Sequence, residues 1–283
     1  MQRGLAKVES GGRPARRRRP AAAGFVLLWA LAWPATGQAA SLTPADAVAA
    51  WVRLKGDATG RVSYEWVSGS AHALPDDARS LPLFRFESVT VRRFVPQGAG
   101  RWRELNYACR LYRDFATGAV IDRMVNPLTG REVALPARCS AGPTLLYSPE
   151  RVVLERDIGF RSSALDVPMR LDLTDLGDRV VLRREAHSEY RSAATGQLRR
   201  ETSVDVFTVD ARAFRNARVA NLRADYHWNS VTQWMTDLGM GDRPGHMLWS
   251  IDGRKFERPE QLPAGFRAAL LAAVPDALSR PLE

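Results

Sequence analysis

Between residues 56 and 229 the chain alternates apolar and polar positions with a period close to two. That is the pattern of strands with one buried and one wetted face. In RWRELNYACRLYR, Leu105, Tyr107, Cys109 and Leu111 share one side, and Glu104, Asn106 and Arg110 the other. In QLRRETSVDVFTV, Leu198, Val204 and Val206 oppose Arg199, Glu201 and Asp205, which predicts that the valines face the core. In NLRADYHWN, Leu222, Ala224, Tyr226 and Trp228 oppose Arg223, Asp225, His227 and Asn229. Hairpin punctuation stands between such runs at Gly118, Gly130 and Gly196, where glycine takes positive φ without a Cβ clash. The phase slips between Phe84 and Phe86 on one side and Val89 and Val91 on the other. A bulge is the expected cause, and it leaves Glu87 free to turn inward or outward.

About nine to eleven strands joined by short turns pair antiparallel, because parallel pairing needs long crossovers. So large a sheet curls, and closure removes its edges. The expected fold is mainly β: one antiparallel β-barrel or strongly bent β-sandwich with a short helix at each end, forming a single domain over 40–283. The first helix is expected over 44–55, with Thr43 as cap, Pro44 at the first position and Gly56 as stop. The last is expected over 263–274, and a further short helix over about 231–238.

The first 39 residues read as an address. Arg16 to Arg19 form a basic run, Ala21 to Trp33 an apolar one, and Gly37-Gln38-Ala39 a small-residue cleavage site. The paired arginines also fit twin-arginine export. A spanning helix needs about 20 apolar residues, so no stable membrane span is expected in the mature chain, and the protein is expected in the periplasm or outside the cell. The leader holds seven Lys or Arg and one acid, so removing it lowers the formal charge from +10 to +4. The remaining basic residues alternate with acids, as in Arg151, Glu155, Arg156 and Asp157. That pattern is a solvated surface rather than a nucleic-acid footprint. Cys109 and Cys139 both lie in the exported part, where a disulfide persists. On a simple meander Cys139 lies up to about 26 Å along the chain from the level of Cys109. This favours two free thiols unless the chain after Leu135 folds back to bring the Cα atoms within about 7 Å.

Candidate chemistry gathers near the C-terminal end. DLGMGDRPGHMLW, 237–249, places Gly239, Gly241 and Gly245 in a spacing close to a dinucleotide fingerprint, but Pro244 replaces the third glycine and a strand pattern follows. A rigid turn is the reading, and no cofactor is expected. Around it lie Trp228, Trp234, Trp249, Met235, Met240, Met247, His227 and His246. Thioethers beside large rings suit either a well-packed corner of the core or an adaptable apolar pocket. The pocket reading assigns Tyr226, Trp228, Trp234, Met240, Arg243, His246 and Trp249 to a small apolar or aromatic ligand. Asp225 and His227, two apart on one strand face, offer an acid/base pair that His246 could join. No metal-ligand spacing is present in the sequence, and no metal is expected.

The segment LYRDFATGAVIDRMVNP with NPLTG at 126–130, the run LGMGDRPGHMLW at 238–249, GRKF at 253–256 and Leu262-Pro263 together resemble the bacterial DUF1838 family. The likeness covers roughly 45–275, departing from the family pattern at PARCSAGPTLLYSP, 136–149. It implies an exported protein and carries over no activity or catalytic residue. Three functions are therefore expected in order. The first is a barrel that binds a small apolar or aromatic molecule. The second is a cofactor-independent hydrolase, isomerase or lyase using Asp225 and His227. The third is an envelope interaction module with Arg-rich strand faces. The sequence leaves the oligomeric state open.

Overall fold

The structure, a computed structural model, describes residues 40–156, 168–191 and 198–282. The leader at 1–39 and the turn at Ala194 to Gly196 lie outside the described residues. Helix α1 (Pro44–Lys55) forms where its signals stand: the Thr43 side chain accepts from the Asp46 N–H at 3.3 Å, and Gly56 ends the helix. Gly56 is required there, because a Cβ would lie 2.3 Å from the Phe94 ring. The strands are β1 (Ala40–Ser41), β2 (Ser63–Leu74), β3 (Leu81–Pro96), β4 (Trp102–Arg113) and β5 (Val120–Ile121). Next come β6 (Arg123–Val125), β7 (Glu132–Ala134), β8 (Arg138–Ala141), β9 (Thr144–Tyr147) and β10 (Val152–Arg156). The last are β11 (Asp172–Asp175), β12 (Arg179–Arg191), β13 (Leu198–Asp210), β14 (Ala224–Thr232) and β15 (His246–Phe256). Helix α2 (Ala211–Arg215) follows β13, and α3 (Ala264–Ala273) follows β15.

One antiparallel sheet takes the order β1-β11-β12-β13-β14-β15-β2-β3-β4-β9-β10, with β5 and β8 also paired to β4; β6 and β7 form a separate hairpin. No sheet closes into the expected barrel: among the described residues the path has two ends, at β1 and β10. It nevertheless curves. Val152 and Tyr147 from one end and Leu171, Val180 and Leu182 from the other share one cluster with Val48, Trp51 and Val52 of α1, so the sheet wraps around that helix. A second cluster fills the far end of this concave face, with Phe84, Phe86, Tyr112 and Met247 packed against Leu135, Leu238 and Met240. The convex face is covered over β3 and β4 by α3, whose Phe266 and Leu270 pack on Val89, Val91, Tyr107, Cys109 and Leu111.

Covering both faces explains the phase slip in β3. Pairing with β2 and β4 runs unbroken through Glu87, so Phe84 and Phe86 face one core and Val89 and Val91 the other. The irregularity falls instead at Ala71 and His72, opposite Phe84 and Pro82. Glu87 shares the convex side and pairs with Arg113 at 2.5 Å. The expected helix over 231–238 is absent. Val231 and Thr232 continue β14, as β-branched residues favour, and only Thr236–Leu238 turns, as a single 3-10 segment. The cysteines also depart from the free-thiol expectation. The chain folds back after Leu135, β8 pairs directly with β4, and Cys109 lies opposite Cys139, to which it is disulfide-bonded with the Cα atoms 4.0 Å apart.

The bridge closes a segment with a sequence separation of 30, which on chain-entropy grounds stabilises the fold by about 3 to 4 kcal/mol. Denaturant unfolding with and without reductant checks this; a lower midpoint after reduction is expected, and coincident midpoints would show that the bridge constrains nothing.

Candidate functional site

The loop that joins β14 to β15 is built from glycines that no other residue replaces cheaply. Gly239, Gly241 and Gly245 have φ of +60°, +57° and +123°, and a Cβ on Gly245 would lie 2.6 Å from the Leu74 carbonyl oxygen and 2.7 Å from the Trp234 ring. Trp234 donates through Nε1 to the Arg243 carbonyl at 2.8 Å. The NPLTG hairpin holds the loop from outside: Asn126 Nδ2 donates to the Leu238 carbonyl at 2.8 Å and Arg243 Nη1 to that of Leu128 at 2.7 Å. Arg243 Nη2 also reaches Asp77 at 3.2 Å. The two most distinctive motifs of the sequence thus form one structural unit.

This unit borders an open groove of about 610 Å³, lined by Leu198, Trp234, Met235, Met240, Arg243 and His246 among others. Four residues assigned to a pocket from sequence, Trp234, Met240, Arg243 and His246, meet here. Trp234 and Met240 are also members of the concave-face cluster against which Trp228 and Trp249 pack. Both Trp228 and Trp249 are half-buried. Trp249 meets Phe86 edge-on at 5.1 Å and donates Nε1 to Thr232 Oγ1 at 3.0 Å. Tyr226 lies deeper, stacked on Phe207 at 4.8 Å with its hydroxyl on Asp205 at 2.7 Å.

The expected acid/base group is not assembled. Asp225 and His227 share a face, but it is the convex, solvated one. His227 Nδ1 takes Asp252 at 2.9 Å rather than Asp225, and its Nε2 meets Asn229. Asp225 lies across from Arg254 at 3.5 Å with both side chains well exposed. His246 stands six positions along β15 from Asp252, at the mouth of the groove. Among the described residues no group of three or more His, Cys, Asp or Glu is placed to hold a metal ion.

Sequence periodicity missed the most charged part of the interior. In β13 it is Ser203, Asp205 and Phe207 that are buried, while Val204 and Val206 occupy the other side. The concave face near α1 carries Glu65, Arg92 and Glu104 as well. Arg92 Nε pairs with Glu104 at 2.5 Å, its Nη1 with Glu65 at 3.4 Å and with the Lys55 carbonyl at 3.0 Å. Lys55 Nζ pairs with Glu65 at 2.7 Å and lies 4.2 Å from the Tyr226 ring centre. Tyr147 donates to Glu104 at 2.6 Å. Burial alone would raise the Glu65 carboxyl, but Lys55 and Arg92 outweigh it and hold it below the usual carboxylate range. Burial, followed by the neighbouring Asp205 and Glu65 charges, pushes the Tyr226 hydroxyl well up. Each of these partners is satisfied by another, so the belt fixes α1 rather than presenting a reactive group. The signal available in the sequence was the inward parity of Glu65, Arg92 and Glu104, legible only once the strand faces are known.

The DUF1838 sequence pattern, described as a protein of unknown function, matches residues 60–281. The chain belongs to the DUF1838 family. The match begins beyond α1 and includes the segment around Cys139 that departs from the expected pattern. Among proteins of curated function none matches the chain. Among solved structures, Ail, the attachment invasion locus protein of Yersinia pestis, aligns at 11% identity over 70% of this chain and 99% of its own, with a TM-score of 0.22. Among the described residues no helix is long and apolar enough to cross a membrane.

Among the described residues of this DUF1838 interior, Lys255 is poised near neutrality. Its Nζ donates to the Arg53 and Gly56 carbonyls, each at 2.5 Å. Burial outweighs the pull of Glu65 and lowers it from 10.5 to about 7. Between those values the unfolded chain holds the extra proton, so through this group stability rises with pH above about 7 and is lost as pH falls through 7. Lys255→Met is expected to remove that slope in denaturant midpoints compared at pH 7 and pH 9; equal slopes in both proteins would assign it elsewhere.

Proposed function

We propose that this DUF1838 protein is an exported binding protein that takes a small, mainly apolar or aromatic molecule at the groove and the adjoining concave face. The observation that carries this reading is the continuity of Trp234 and Met240: they line a groove of about 610 Å³ and belong to the cluster beside half-buried Trp228 and Trp249. The volume falls in the range of small-molecule sites, which hold about 300 to 1,000 Å³. Thioethers adapt to a ligand's shape, and indole rings give large apolar contact with few rotamers to freeze. The loop itself is rigid, held by Asn126, Arg243 and Gly245, so little order is lost on binding. Export is part of the proposal: the leader pattern at 1–39 and a disulfide that persists in oxidising compartments both support it. The mature chain is a single 40–283 domain in this reading. The solvated setting of His227 and Asp225 gives an enzymatic alternative no support.

The mature protein is expected to bind N-phenyl-1-naphthylamine with a rise in probe fluorescence. Trp228→Ala should weaken that binding about tenfold, or about 1.4 kcal/mol, with the thermal midpoint little changed. A wild-type protein that leaves the probe dark, or a variant that binds equally well, would remove the basis of the proposal.

A further inference from the structure

On the concave face beside Trp228 and Trp249 lies a patch of small hydroxyl side chains around one carboxylate. Pairing places Glu201 across from Ser188 on β12 and Thr232 on β14, with Ser203 across from Ser230 and Ser230 across from Trp249. Ser203 and Ser230 are buried, whereas Glu201, Trp228 and Trp249 are half-buried and keep accessible surface.

Among the described residues, Glu201 is an acid of this face without an ion-pair partner. Its Oε1 accepts from Ser230 Oγ at 3.0 Å, and among the described residues it enters no ion pair. Arg184, the cation whose charge acts on it, is committed elsewhere: it reaches Asp205 at 3.3 Å and lies 4.8 Å from the Trp51 ring centre. Asp205 in turn spends its second oxygen on the Tyr226 hydroxyl. Two acids therefore share one cation, and the local field is negative. Burial, with a further push from Asp205, raises the Glu201 carboxyl above its usual range, as expected for a carboxylate short of a partner.

We infer that Glu201 is the polar anchor of the concave site and that its ligand is a protonated organic amine, with the ammonium on Glu201 and the apolar body against Trp228 and Trp249. An ammonium supplies the missing charge-assisted hydrogen bond to a partly desolvated carboxylate, and the faces of neighbouring indoles attract the same cation. A carboxylate ligand meets repulsion from Glu201 and Asp205. A neutral alcohol makes the apolar contacts without the charge. The inference rests on the binding function proposed above and narrows it to one ligand class.

Calorimetric titration of the mature protein at pH 7 with 4-phenylbutylamine, 4-phenylbutan-1-ol and 4-phenylbutanoate tests it, since the three differ only at the head group. The amine is expected to bind at least tenfold more tightly than the alcohol, and the carboxylate most weakly. Glu201→Gln should erase the amine's advantage while leaving the alcohol's affinity unchanged, with melting confirming that the variant folds. If alcohol and amine bind the wild-type protein equally, the amine assignment fails while the binding function stands. If none of the three binds, both fail. The wild-type comparison decides the question even should the variant not fold.

Discussion

Helix α1 can lie inside the curve of the sheet only because its C-terminal end is met by charge. Helix ends leave carbonyls without intrahelical partners, and burying them bare costs more than packing returns. Here Arg92 donates to the Lys55 carbonyl, Lys255 to those of Arg53 and Gly56. Arg92 and the adjacent Lys55 would be too costly to bury alone, and Glu65 and Glu104 offset them, whereas at Lys255 burial outweighs the pull of Glu65. Removing Glu65 leaves Lys55 unpaired, and removing Glu104 leaves Arg92 only its longer contact with Glu65, so the belt acts as a unit. With it in place, Trp51 and Val52 can gather residues from both ends of the strand order, and the open sheet acquires a filled concave face without closing.

That arrangement decides where a site can form. α1 fills one end of the concave face, and the far end is closed by the loop before β15 together with the NPLTG hairpin. Over β3 and β4 the convex side is committed to α3. Between the two fillings, on β13 to β15, Glu201, Trp228 and Trp249 are only half-buried. The rigidity of the glycine-rich loop belongs to the same design, because its Trp234 both braces the turn and lines the groove.

Local signals made α1 legible in the sequence almost residue for residue, since Thr43, Pro44 and Gly56 act through contacts a few positions away. The last helix was likewise expected over 263–274 and forms as Ala264–Ala273. Alternation found the long strands but not which parity faces inward, because that depends on what covers each side. β3 reads as out of phase since both its faces are covered. β13 reads inside out since its inner neighbours include Arg184 and Tyr226, partners that make Asp205 a better interior residue than valine. The disulfide was hidden for the same reason: β6 and β7 leave the sheet, and nothing local in 122–135 announces that β8 returns to β4. Composition gathered the candidate pocket residues, of which Trp234, Met240, Arg243 and His246 line one groove. Glu201 was assigned instead to the wetted face of its strand, and so escaped notice as part of any site.

The contrast between the two polar regions of the interior carries the functional argument. Around α1 the buried Asp57, Glu65 and Glu104 each have a cation within ion-pair distance, as a purely structural use of buried charge requires. Strands of nine to sixteen residues run about 30 to 53 Å from end to end, so the same pairing need not extend to the groove end. At Glu201 it does not, and a serine hydroxyl is the partner found. A half-buried carboxylate with that partner keeps its remaining acceptor capacity for the accessible side of the face, which is where the inferred ammonium would sit.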